Sequence, residues 1–252
     1  MKSLQTLLLL ALFSAGQASF TYSDNLDALP TAPSFTFLDN WVDNSTLPNW
    51  YRTLISDGTP GVESRFRVDD GSAESGSLWS LGTFGSTERA LGFTPSSNLP
   101  TQHIGVRLVN TTNQVLTEAT VSYFGEQWRQ GADGFDALRF SYQVGAPTLT
   151  GGTWTTVPSM DFAAPHQVGS PTRRNGNLPE NRAQVSGVLS SLNWQPGESL
   201  WLRWTGLDRP RANHTLAVDD LRVEAVPEPA TVLGVLFGLA GLRGRRSAKV
   251  KE

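Results

Sequence analysis

The chain of 252 residues has no cysteine, so neither disulfide staples nor thiolate metal centres are available and a folded body must be held by its apolar core. Charged residues make up only 17% and the formal net charge is −3. No basic stripe runs along the body to follow a phosphate backbone, which argues against nucleic acid as a partner. The three histidines, His103, His166 and His214, stand in no zinc-binding pattern such as HExxH, and no GxSxG nucleophile elbow occurs. Helical periodicity is almost missing between Phe35 and Glu224, and no internal repeat is evident.

What is abundant is alternation of period two. In LRFSYQV, Leu138, Phe140, Tyr142 and Val144 share one face while Arg139, Ser141 and Gln143 share the other, as a half-buried strand requires. VESRFRV puts Val62, Phe66 and Val68 inward, HIGVRLV does so with Ile104, Val106 and Leu108, and LWLRW with Leu200, Leu202 and Trp204. Turn chemistry at Asp69, Asp133, Gly151, Arg174 and Gln195 punctuates these runs. About ten strands without crossover helices predict an all-β fold, an antiparallel β-sandwich of jelly-roll type. The segment from Ala163 to Asn181 reads as a long surface loop.

The two ends differ from this body. Residues 1–18 have the parts of an export signal: Lys2, the apolar run Leu7 to Phe13, and the small-x-small site Gly16-Gln17-Ala18. The exported β-sandwich domain is expected over 19–225, beginning near Ser19. Residues 226–252 form a tail: Val226-Pro227-Glu228-Pro229-Ala230, an apolar helix over 230–242, and a basic end over 243–251 with Arg243, Arg245, Arg246, Lys249 and Lys251. Thirteen apolar residues fall short of the roughly 20 that cross a bilayer comfortably. The basic cluster fits the positive-inside rule, with the body outside the cytoplasm.

Triplet, apolar helix and basic cluster, in that order, resemble the PEP-CTERM sorting signal of Gram-negative bacteria. The resemblance implies that an exosortase, a membrane transpeptidase-like enzyme, reads the tail and cuts near Val226 to Ala230. The transmembrane helix would then anchor the body only transiently, whereas an uncut tail would be a lasting single-span anchor. The segments GTFGSTERALG, FGEQWR, TWTTVPSMDF and HTLAVDDLRV resemble a group of exported bacterial β-domains that often carry the same tail. AVDDL is similar to the last strand of carbohydrate-binding and MAM-type jelly rolls.

No catalytic constellation is recognisable, so a non-enzymatic role is expected. Glu126, Asp136, Asp161, Glu198, Asp208 and Asp220 are available for a glycosidase pair, but nothing in the sequence pairs them. In LAVDDLRV, Asp219 shares the parity of Leu221 and Val223, and an inward carboxylate needs a partner. The candidates are Arg129 or Arg182, backbone amides, or a structural Ca²⁺ shared with Asp220 and Asn177. Of the eight tryptophans, Trp79, Trp154 and Trp201 have ambiguous or outward parity and are the candidates for stacking on sugar rings. The expectation is a β-sandwich protein sorted to the cell surface or extracellular polysaccharide matrix, with a structural or glycan-binding role. The alternative is a carbohydrate-active enzyme or its binding module.

Overall fold

A computed structural model describes residues 19–59, 61–209 and 213–228. The expected signal peptide, Pro229, Ala230, the apolar helix and the basic end with Arg243, Arg245 and Arg246 lie outside the described residues. The fold is all-β, as the alternation predicts, with two short 3₁₀ turns at Pro158–Met160 and Pro179–Asn181. The strands are β1 (Phe20–Asp24), β2 (Thr36–Phe37), β3 (Trp50–Ile55), β4 (Phe66–Asp69), β5 (Ser77–Leu81), β6 (Ala90–Thr94), β7 (Thr101–Val109) and β8 (Glu118–Gln130). They continue as β9 (Ala137–Val144), β10 (Thr155–Thr156), β11 (Phe162–Ala163), β12 (Thr172–Arg173), β13 (Arg182–Leu189), β14 (Ser199–Leu207) and β15 (Thr215–Val226).

They form two sheets. A nine-stranded sheet runs β12-β8-β15-β6-β5-β4-β2, with β1 beside β15 and β13 beside β8. A six-stranded sheet runs β10-β9-β14-β7-β3, with β11 beside β9. Pairing is antiparallel except between β4 and β5, which are parallel. Strand β15 is shared end to end: Leu216–Val218 pair with β6 and Leu221–Ala225 with β1, so Phe20 faces Ala225.

The predicted inward faces make the core between the sheets. Leu138 and Phe140 of β9, Ile104, Val106 and Leu108 of β7, and Leu200, Leu202 and Trp204 of β14 are all buried there. Trp204 is the hub, stacked on Trp50 at 5.7 Å and met edge-on by Tyr123 at 5.2 Å and Phe140 at 5.5 Å. The run around Val62 is shorter as a strand than alternation suggests, because β4 begins only at Phe66 while Val62 is buried in the preceding turn.

The segment over Ala163 to Asn181 is a surface segment, as expected, with most residues exposed; it adds β12 to the edge of β8 and then covers Trp128 on the outer face of the nine-stranded sheet. That face carries a second apolar cluster, Trp79, Leu81, Ala90, Trp128 and Ala217. Gly176 lies so close to the Trp128 indole that a Cβ there would meet Nε1 at 2.2 Å. Further ties are Arg174 N–H to the Trp128 carbonyl at 2.7 Å, His166 N–H to Gln127 Oε1 at 2.8 Å, and the ion pair Arg173–Asp70 at 2.7 Å. A polar segment stays folded because backbone and side-chain hydrogen bonds replace the apolar contacts it lacks.

Candidate functional site

Two places on the body hold concentrated chemistry, one on the outer face of each sheet. Under the cover, Glu88, Glu126 and Asp219 bring carboxylate oxygens within 4.8 Å of one another. Asp219 reaches this place because β15 carries an irregularity between Asp219 and Arg222, with Asp220 in the left-handed region at φ 49°. The extra residue reverses the parity, as a bulge does. Asp219 therefore does not share the face of Leu221 and Val223, as simple alternation implies, but joins Ala217 on the opposite side. Glu126 follows from β8, where Glu126 and Trp128 point away from Val121 and Tyr123.

The cluster is poor in counter-charge. Glu126 is completely buried, accepts the Trp128 Nε1–H at 2.9 Å and meets Arg182 at 3.4 Å. Asp219 accepts the Asp220 amide at 2.7 Å and pairs with neither Arg129 nor Arg182. Arg129 instead pairs with Glu74. Burial, then the charges of Glu88 and Asp220, pushes Glu126 up to about 7, against the pull of its indole and guanidinium partners. Burial, followed by the neighbouring carboxylates led by Glu126, pushes Asp219 up to about 9. Glu88 is raised by burial as well. Asn177 donates its amide to Glu88, and its Oδ1 is buried without a partner. Sequence analysis named Asp219, Asp220 and Asn177. The structure brings Asp219 and Asn177 together, adds Glu88 and Glu126, and leaves Asp220 at the bulge, beside a shallow cleft with Ser23, Asp24 and Asn25. Hard oxygen donors around buried negative charge suit Ca²⁺ better than a transition metal.

The second place is a cleft of about 500 Å³ on the outer face of the six-stranded sheet. Its floor is β3, β7 and β14 in register: Arg107 lies across from Trp201, and Tyr51 and Arg203 flank Gly105. Gly105 is required here, because a Cβ would stand 2.5 Å from Leu149 Cδ1 and 2.6 Å from the Leu202 carbonyl. The wall is the loop 145–152, which turns at Gly145 and Gly152, both with positive φ. Arg203 pins this loop, donating to the Leu149 carbonyl at 3.2 Å and to Ser141 Oγ at 3.2 Å, with its guanidinium 3.8 Å above the Trp154 ring. Trp201 packs on Tyr51 at 4.7 Å. Although it is only 3% exposed, its indole Nε1–H has no partner.

The three proposed stacking tryptophans thus separate. Trp201 lines the cleft and Trp154 braces its wall, with its own N–H on the Gly151 carbonyl at 3.0 Å. Trp79 is wholly buried in the second apolar cluster and spends its N–H on Thr94 Oγ1 at 2.9 Å, so it is removed from any ligand platform. Alternation could not show this, because both faces of β5 are buried. Tyr51 and Arg107 went unnamed in the sequence, although an aromatic and a cation on the polar faces of WYRTLI and HIGVRLV were signals of this floor.

The other carboxylates are spent singly. Asp136 accepts the Ala137 and His214 amides and is raised by burial to about 7, while Asp161 pairs with Arg139 at 3.3 Å. Val226 ends β15, its carbonyl accepting the Thr117 amide at 3.0 Å, and Pro227 is buried. Among the described residues no helix is long and apolar enough to cross a membrane.

No protein-family model matches the chain, and no curated protein does. Solved structures do. The CBM22-1 xylan-binding domain of Xyn10C from Paenibacillus barcinonensis is 10% identical at a TM-score of 0.37, covering 79% of this chain and 99% of that one. A CBM61 module solved with β-1,4-galactotriose is 11% identical at 0.31, covering 69% and 86%. The active domain of tailspike protein 4 of bacteriophage CBA120 is 6% identical at 0.38, covering 71% and 19%. At such scores these likenesses carry no argument about ligand or activity.

Proposed function

We propose that this chain is an exported, non-enzymatic β-sandwich that binds glycan in the cleft over Tyr51, Arg107 and Trp201, and that its tail delivers it to the cell surface or polysaccharide matrix of a Gram-negative bacterium. The observation that carries the binding reading is the cleft itself, about 500 Å³, where exposed Arg107 stands across from Trp201 on a floor shared with Tyr51 and the wall is pinned by Arg203. A preformed concavity with an aromatic floor and an unspent polar group suits a sugar ring. The cleft's one carboxylate, Asp43, already accepts the Trp41 indole and the Arg52 amide, at 2.7 and 3.0 Å, which favours binding over hydrolysis. A glycan array with the purified body, alongside hydrolysis assays, tests this reading. Binding abolished by Tyr51→Ala is expected, and turnover dependent on one carboxylate would replace it with the enzymatic reading.

The sorting part rests on the tail's sequence and on Val226 standing at the very end of β15, so that an exosortase cut would fall just outside the sheet. Removal of 227–252 should abolish surface or matrix localisation, and unchanged localisation would count against the tail as an address. For the carboxylate trio the same reading assigns a structural Ca²⁺ held by Glu88, Glu126 and Asp219 with the Asn177 carbonyl oxygen. The unpartnered Asn177 Oδ1 supports it, because rotation of that amide would turn an acceptor toward the cation. Calcium would compensate the buried charge and fasten the cover to the sheet.

A further inference from the structure

The cleft's charge points to a narrower class of ligand than glycan in general, an inference that rests on the binding reading above. Arg107 is exposed on the floor, and among the described residues its guanidinium has no hydrogen-bond or ion-pair partner. Arg203, beside it on β14, gives its donors to the Leu149 carbonyl and Ser141 and has no carboxylate against it. Arg52 lines the edge of the cleft but stands opposite Ile104 in the register and sends its guanidinium the other way, to the carbonyls of Glu63, Ser64 and Arg65. Arg107 is therefore the guanidinium that faces the open cleft, with Arg203 beside it under the loop. The single carboxylate among the lining residues, Asp43, is turned to Trp41 and Arg52. Arg107 is thus the unspent charged group of the floor, and its charge is positive.

We infer that the cleft selects acidic polysaccharide, with the carboxylate of a uronic acid residue on Arg107. A planar guanidinium takes a carboxylate through two parallel hydrogen bonds, which neutral xylan or galactan cannot supply. Arg203 has its donors occupied by Leu149 and Ser141 and contributes field, whereas Arg107 contributes the contact. Tyr51, packed beside Trp201, supplies the apolar surface for the sugar ring.

The test uses the purified chain and a panel of polygalacturonate, alginate and hyaluronate, each set against its carboxyl-reduced, neutral form, in isothermal titration. Expected is binding to at least one acidic polymer, weakened about tenfold or more by carboxyl reduction and equally by Arg107→Gln, with the thermal midpoint of the variant unchanged. Affinity should also fall as salt rises from about 0.01 M to about 1 M, where the Debye length contracts from about 30 Å to about 3 Å. Equal affinity for the reduced polymers, or an Arg107→Gln variant that binds as well as the parent, overturns the acidic-ligand inference and leaves the glycan cleft standing. No binding to any polymer, acidic or neutral, removes the cleft reading itself.

Discussion

The two sheets use their outer faces in opposite ways. The nine-stranded sheet covers the Trp128 part of its outer face with the segment 163–181 and gathers three carboxylates there, Glu126 and Asp219 buried and Glu88 half-buried. The six-stranded sheet leaves part of its outer face open, walls it with a pinned loop and keeps a cation there unpaired. Both faces carry polar groups that the fold alone does not satisfy, yet the physical demands differ. A largely buried negative cluster calls for something small enough to sit inside, whereas an open donor-rich floor can take a polymer from solution.

The sharpest break of that comparison is Trp128→Ala. It removes the side chain on which the cover rests and should cost about 3–5 kcal/mol by chemical denaturation. A loss below about 1 kcal/mol would mean the cover is not packed as described. Calcium comes next. Saturating Ca²⁺ at about a thousand times its dissociation constant should stabilise the fold by about 4 kcal/mol over protein in EDTA, read as a rise in thermal midpoint. An unmoved midpoint would leave the trio as buried acids that share protons.

The pH dependence of the calcium-free protein sharpens the same point. Glu126 and Asp219 lie above their ordinary values of 4.5 and 3.8 in the folded chain, so folding favours their protonated forms. Their contribution is complete below those ordinary values and is lost as pH rises through about 7 and about 9. Denaturation midpoints in EDTA should therefore fall across that window, and bound Ca²⁺ should flatten the slope by holding the carboxylates ionised. Glu126→Gln keeps an acceptor for the Trp128 indole and should remove the Glu126 share of the slope. The smallest effect on stability is expected at the open face: Tyr51→Ala should cost about 1 kcal/mol or less while abolishing glycan binding. A large loss of stability there would make Tyr51 a core residue and the contrast between the faces false.

How far these places were legible follows from what alternation can and cannot encode. Strands β7, β9 and β14 were readable because one face is apolar and the other polar, and Trp201 was placed outward for that reason. The position of Asp219 was misread because one residue added at Asp220 reverses every later side chain, and composition does not mark a bulge. Trp79 was ambiguous because β5 is buried on both faces. Glu88, in the irregular stretch before β6, and the cover over Trp128 depend on contacts between distant parts of the chain, which no local pattern contains. Arg107 was legible as outward, but its solitude, the property that matters, appears only when its neighbours are seen to be elsewhere.

The pairing of Phe20 with Ala225 has a mechanical consequence. Anything attached at either end of the sandwich leaves from the same pole, side by side, so a load applied there unzips β1 from β15 one hydrogen-bond pair at a time instead of shearing the whole ladder. A pull on Val226 alone would instead run along β15, which is paired on both sides, to β1 and to β8, and would have to shear both ladders at once.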